Sequence, residues 1–165
     1  PTRRSSDLEC DIDAYIPPSY IKNEYQKLDI YKRISTIETD EEYMDMQDEL
    51  LDRFGDIPKS VENLLKIAMV RALAHRAYVT EVFVNRQEIR LTMYQKAKLD
   101  VTRIPDFVQS YKGELKLVPG ETPVFHYVDR KNKNSDSLIM LEKARTMLEQ
   151  LGKLGQKEPG GNGAD

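Results

Sequence analysis

The spacing of apolar positions along the chain changes character several times, and each change marks an element. Residues 1–8 show no apolar rhythm and are expected to be an unstructured or expression-derived segment. From Asp11 to Ile21 apolar and polar residues alternate until Pro17-Pro18 break the run. Proline fixes φ and removes a donor, so this stretch predicts an extended edge segment that packs its aromatics. From Glu24 the period lengthens: Leu28, Tyr31 and Ile34 recur as the inner face of a first helix, with Lys27, Lys32 and Arg33 outward. Thr39 with Glu42 three residues on forms a capping box, so a second helix runs from Asp40 to Phe54 and stops at Gly55. Pro58 suits the start of a third helix, to about Ala77. Its apolar band (Val61, Leu64, Leu65, Ile67, Ala68, Met69, Val70, Ala72, Leu73) is too wide for one buried side and predicts a central helix.

After Tyr78 the period becomes two. Val79–Val84 and Glu88–Met93 read as a hairpin, and Leu115–Val118 with Val124–Val128 as a second strand pair. A short helix is expected between them, around Arg103 to Tyr111, ended by Gly113. Ser135 or Asp136 caps a last helix to about Leu151, with Leu138, Leu141, Ala144 and Leu148 inward. The expected fold class is α+β: N-terminal helices, antiparallel strand pairs with an inserted short helix, and a C-terminal helix. One domain over residues 9–151 is followed by a flexible glycine-rich tail, residues 152–165. The pattern leaves open whether the two strand pairs share a sheet.

Composition adds constraints more than chemistry. At 165 residues one domain is the default, and 32% charged residues with no tryptophan favour solvated helical faces. A net charge of −3 is too balanced to advertise nucleic acid or membrane. The longest apolar runs, Ile67–Val70 and Leu138–Leu141, are far short of the ~20 residues that span a bilayer. A single cysteine, Cys10, forms no internal disulfide and fits a reduced, cytoplasmic setting. The start at Pro1 without methionine suits a domain excised from something longer.

Local signals for catalysis are missing. No phosphate-cradling glycine loop or serine nucleophile elbow is present, and Gly160-Gly161-Asn162-Gly163 reads as linker. His75, His126 and Cys10 lack neighbours at ligand or base spacing and read as structural. The chain is thus expected to be no enzyme in isolation, with no catalytic, cofactor-binding or metal-binding residue; a scattered active site is the enzymatic alternative. A basic loop, Arg130-Lys131-Asn132-Lys133, offers a nucleic-acid-binding alternative, but strongly salt-dependent binders use roughly 6–10 phosphate contacts.

One feature stands out. Between Glu38 and Asp56 nine carboxylates accompany one base, Arg53, a local charge of −8. Glu41, Asp45, Asp48, Glu49 and Asp52 follow helical spacing onto one face, opposite Tyr43, Met46, Leu50 and Phe54. Like charges at i,i+4 cost a helix about 0.2–0.5 kcal/mol per pair, and Asp45/Glu49 and Asp48/Asp52 are such pairs. The face reads either as ordinary solvated surface or as a docking ridge for a basic partner, with Arg53 as a mixed-sign register pin.

Asp13-Ala14-Tyr15-Ile16-Pro17, Tyr20-Ile21, Glu24, Leu28 and Tyr31-Lys32-Arg33-Ile34, then Glu49-Leu50-Leu51-Asp52-Arg53-Phe54-Gly55-Asp56-Ile57-Pro58, Leu64-Leu65-Lys66-Ile67-Ala68 and Arg71, resemble the C-terminal domain of Mfd, the bacterial transcription-repair coupling factor. The resemblance spans about Glu9 to Leu151 and is weakest from Tyr78 to Asp136. It implies a parent protein that is an ATP-driven (ATP/Mg) double-stranded DNA translocase, displaces stalled RNA polymerase and recruits UvrA for nucleotide excision repair. It also implies that this domain, lacking motor motifs and cofactor, docks within the same protein on the N-terminal UvrB-like domain and masks the surface UvrA uses. The family's docking acids fall on Glu49 and Asp52. Assigning Asp45, Asp48, Glu41 and Arg53 to the same contact extends that reading from the ridge alone.

Overall fold

The computed structural model describes residues 6–97, 99–132 and 134–154. The chain divides into a helical unit, Asp11–Ala72, and a sheet-containing unit formed by the residues before it and those from Leu73 on.

In the helical unit, residues 11–16 form no helix or strand. Tyr15 N–H donates to Ser60 C=O at 3.2 Å, the Asn63 side-chain amide donates to Asp13 C=O at 2.9 Å, and Ile16 N–H donates to the Tyr31 hydroxyl at 2.7 Å. Ile16 and Ile21 are buried, whereas Tyr15, expected to pack, is half exposed. Helix α1 (Glu24–Ser35) is capped by the Asn23 side chain and buries Ile30 and Ile34. Leu28, expected inward, is 63% exposed. The inner stripe is Ile30 and Ile34 with Tyr31 half-buried, so the three-residue rhythm through Leu28 had the wrong phase. Helix α2 (Asp40–Phe54) has the expected bounds and buries Met46 and Leu50. Helix α3 (Lys59–Arg76) begins in this unit, where Val61, Leu65, Ile67, Met69 and Val70 are buried.

The second unit is built on five strands: β1 (Asp7–Cys10), β2 (Val79–Val84), β3 (Glu88–Met93), β4 (Leu115–Val118) and β5 (Val124–Val128). They form one sheet in the order β1-β2-β3-β5-β4, so both expected strand pairs join through β3 and β5. All pairings are antiparallel except β1–β2. That parallel strand is a correction twice over: its first two residues, Asp7 and Leu8, fall in the segment expected to be unstructured, and it makes the sheet mixed. Cys10 is paired opposite Val84.

One sheet face buries Val82, Val84, Ile89, Leu91, Met93, Leu115, Phe125 and Tyr127, the alternation that a half-buried antiparallel sheet requires. Helix α4 (Ile104–Gln109) sits beside β4 and places Phe107 edge-on to Phe125 at 5.5 Å. It is shorter than expected; the chain then turns through Lys112 and Gly113, both at positive φ. Helix α5 (Ser137–Leu154) packs on β2 and β3 with Met140, Leu141, Ala144, Met147, Leu148 and Leu151 buried. Asp136 caps it, its carboxylate accepting from Ile139 N–H at 2.8 Å. The helix passes through Gly152 to a buried Leu154, so the tail expected from residue 152 begins helical. The Gly160–Gly163 run lies outside the described residues. No helix among the described residues is long and apolar enough to cross a membrane.

Candidate docking face on helix α2

The orientation of α2 is fixed at both ends. The Thr39 hydroxyl accepts from Glu42 N–H at 3.0 Å, satisfying an amide that the helix leaves orphaned. The Glu42 carboxylate turns back to accept from the Thr39 hydroxyl at 3.2 Å and from Glu38 N–H at 3.3 Å, one residue earlier than an ideal capping box. At the other end Gly55 takes φ +88°, ψ −162°, and its N–H donates to Leu51 C=O. The Tyr20 hydroxyl lies 3.1 Å from Leu50 C=O and 2.9 Å from Gly55 C=O, and its ring meets Phe54 at 5.8 Å. Burial, and then the charge of Asp56, raise the Tyr20 pKa, which keeps the phenol protonated for this role.

With the core side committed, Glu41, Asp45, Asp48 and Asp52 project to solvent, and none has an ion-pair partner among the described residues. Glu49 differs. Arg33 of α1 grips it with both terminal guanidinium nitrogens, Nη1 and Nη2, at 2.6 and 2.5 Å, and Arg53 adds a third contact at 2.8 Å. Hydrogen bonds from Arg33 and then from Arg53 hold its pKa down to about 2. The expected row of unpaired acids is therefore corrected at Glu49: a bidentate arginine pair ties it to α1 within the same unit. Arg53, expected as a register pin for a partner, is shared between Glu49 and the face of Phe54, 4.8 Å from its guanidinium carbon.

The structure thus brings all six predicted residues to one side of α2 but divides them. Glu41, Asp45, Asp48 and Asp52 are exposed with no ion pair among the described residues, while Glu49 and Arg53 form an internal buttress with Arg33. Arg33 escaped sequence reasoning because it is sixteen residues from Glu49. Two further residues escaped it: Met44 and Leu51, 60% and 48% exposed, lie along one flank of the acids. Their i,i+7 spacing off the core stripe was the available signal.

The other candidate groups lie elsewhere. His126 Nε2 is 2.9 Å from the Glu88 carboxylate across the β3–β5 pairing, a neighbour that sequence spacing did not show. The His75 Nδ1 is buried without a hydrogen-bond partner among the described residues. Arg130 and Lys131 are exposed in a turn whose amides, at Lys131 and Asn132, donate to Asp129; Lys133 lies outside the described residues.

Residues 10–104 match the family model described as the TRCF domain. The chain is 36% identical over 96 residues to a transcription-repair-coupling factor of Bacillus subtilis and 40% identical over 91 residues to that of Staphylococcus haemolyticus. These matches cover 58% and 55% of this chain but 8% of either relative, so the chain spans a small fraction of the length of those proteins. A crystal structure of the C-terminal domain of transcription-repair coupling factor superimposes with a TM-score of 0.72 at 26% identity, covering 92% of this chain and 96% of the other. In sequence and in fold, the chain belongs to the TRCF domain family, the C-terminal domain of transcription-repair coupling factors.

Proposed function

We propose that this domain is a non-catalytic, autoinhibitory clamp that docks through the outer face of α2 onto the UvrB-like domain of its parent protein and masks the surface that recruits UvrA. The parent, in this reading, is an ATP-dependent DNA translocase that displaces stalled RNA polymerase. The observation that carries the proposal is the row Glu41, Asp45, Asp48 and Asp52, exposed and without an ion-pair partner among the described residues, on a helix braced at both ends. Four carboxylates without counter-charges raise the folding cost of this helix, and a basic partner surface relieves them.

The magnitudes suit a releasable contact. Exposed ion pairs contribute about 0.2–1 kcal/mol each, so a few bridges hold weakly between separate molecules. Within one chain the effective concentration is on the order of 1 mM, and a separate-chain Kd of ~10 μM then gives roughly 100:1 closed over open. A conformational change elsewhere in the parent can undo so small a bias.

The test is a titration of this chain against the separately produced UvrB-like domain of its parent at about 50 and 300 mM salt. Micromolar binding that weakens steeply with salt, and a loss of that steepness in D48N/D52N, are the expected results. No binding at either salt would remove the clamp.

A further inference from the structure

Met44 and Leu51 are anomalous on this helix. A large side chain on a solvated face is unremarkable when it stands alone, but these two are seven residues apart on α2 and share one flank. At about 100° per residue they lie some 20° from each other around the axis and next to Asp48, which sits between them in sequence. The helix therefore presents two parallel stripes, an apolar one (Met44, Leu51) and an acidic one (Glu41, Asp45, Asp48, Asp52), while Glu49 and Arg53 close the far flank.

We infer that the docking contact is two-part: Met44 and Leu51 bury against an apolar side chain of the partner, and the adjacent acids meet the basic groups that rim it. The occupant is a basic surface with an apolar centre, and on the clamp reading above, on which this inference rests, it belongs to the UvrB-like domain. Charge disfavours the other obvious occupants. A second copy of this chain would set Asp48 and Asp52 against their own like charges, and an anionic membrane or nucleic acid would be repelled by the same stripe.

The two stripes divide the labour. Desolvated apolar contacts hold the complex together with little sensitivity to salt, whereas rim charges set the rate of encounter and the salt dependence. Met44 and Leu51 are each about half exposed, so completing their burial is worth about fivefold in affinity apiece.

The experiment is the same titration at 50 and 300 mM salt with M44Q, L51Q and D48N/D52N. Glutamine keeps length and helix propensity, and at exposed positions it leaves the melting temperature of the chain unchanged. M44Q and L51Q are each expected to weaken binding about fivefold at both salts without altering the slope of log Kd against log salt; D48N/D52N flattens that slope. If D48N/D52N flattens the slope while both glutamine variants bind like the parent chain, the apolar half is wrong and the electrostatic clamp survives. If none of the three changes binding, both fall. Sedimentation of the chain alone closes the remaining route: a dimer dissolved by M44Q or L51Q would assign the stripe to self-association and overturn the inference.

Discussion

Glu49 shows how much one side chain's environment revises a reading made from spacing. By position it belongs to the acidic face; by partner it belongs to the seam between α1 and α2. Its carboxyl, held down to about 2 by Arg33 and Arg53, is ionised in the folded state well below the pH at which it ionises unfolded. The interaction is therefore present above the unfolded pKa, near pH 4.5, and is lost as pH falls toward 2. With a part-exposed pair the stabilisation is screened, so E49Q should cost about 1 kcal/mol at pH 7. Urea unfolding of E49Q and the parent chain across pH 2–7 measures this. Their midpoints should converge by pH 2, and a deficit that persists there unchanged would show that packing, not charge, is lost. The local charge count could not find Arg33, because counting along a window ignores what a neighbouring helix supplies. The error at Leu28 is of another kind: Tyr31 and Ile34 fit two helical phases, and only the burial of Ile30 decides between them.

Among the elements, α2 was the most readable because stereochemistry marks both its ends. T39A removes the acceptor for Glu42 N–H and should cost about 1 kcal/mol. G55A forces a Cβ onto φ +88°; that Cβ would meet nothing within 4 Å, so the cost is backbone strain alone, about 1–2 kcal/mol. Denaturant midpoints test both, and a neutral G55A would mean that the turn re-forms with another geometry. Helix α5 illustrates the opposite case: Gly152 reads as a stop, yet burial of Leu151 and Leu154 on either side carries the helix past it. The β2–β3 and β4–β5 pairs were readable from alternation alone. Strand β1 was not, since four residues with only Leu8 and Cys10 part-buried carry almost no pattern, and their pairing partner lies in Glu81–Val84.

At the scale of the whole molecule, the α+β class followed from the order of helical and alternating stretches, while the single mixed sheet depended on long-range pairings that no local pattern encodes. The acidic face of α2 was visible as charge, but its apolar flank and the Arg33–Glu49 pairing behind it were not. In a full-length factor the proposed clamp has a quantitative consequence. If D48N/D52N weakens the separated interaction tenfold, the closed-to-open ratio falls from roughly 100:1 to roughly 10:1. UvrA capture by the full-length D48N/D52N factor should then rise close to tenfold over the unmodified one. Equal capture by the two would argue that the face of α2 does not govern access.

The parallel pairing of β1 with β2 also has a consequence for biogenesis. During synthesis β1 emerges ahead of the helical unit, and its partner strand follows about 70 residues later, roughly 4–14 s at 5–20 residues per second. Throughout that interval Asp11–Ala72 can collapse on local contacts while Asp7–Cys10 waits with its backbone unpaired. Of the five strands, β1 is thus the one that waits longest for its partner.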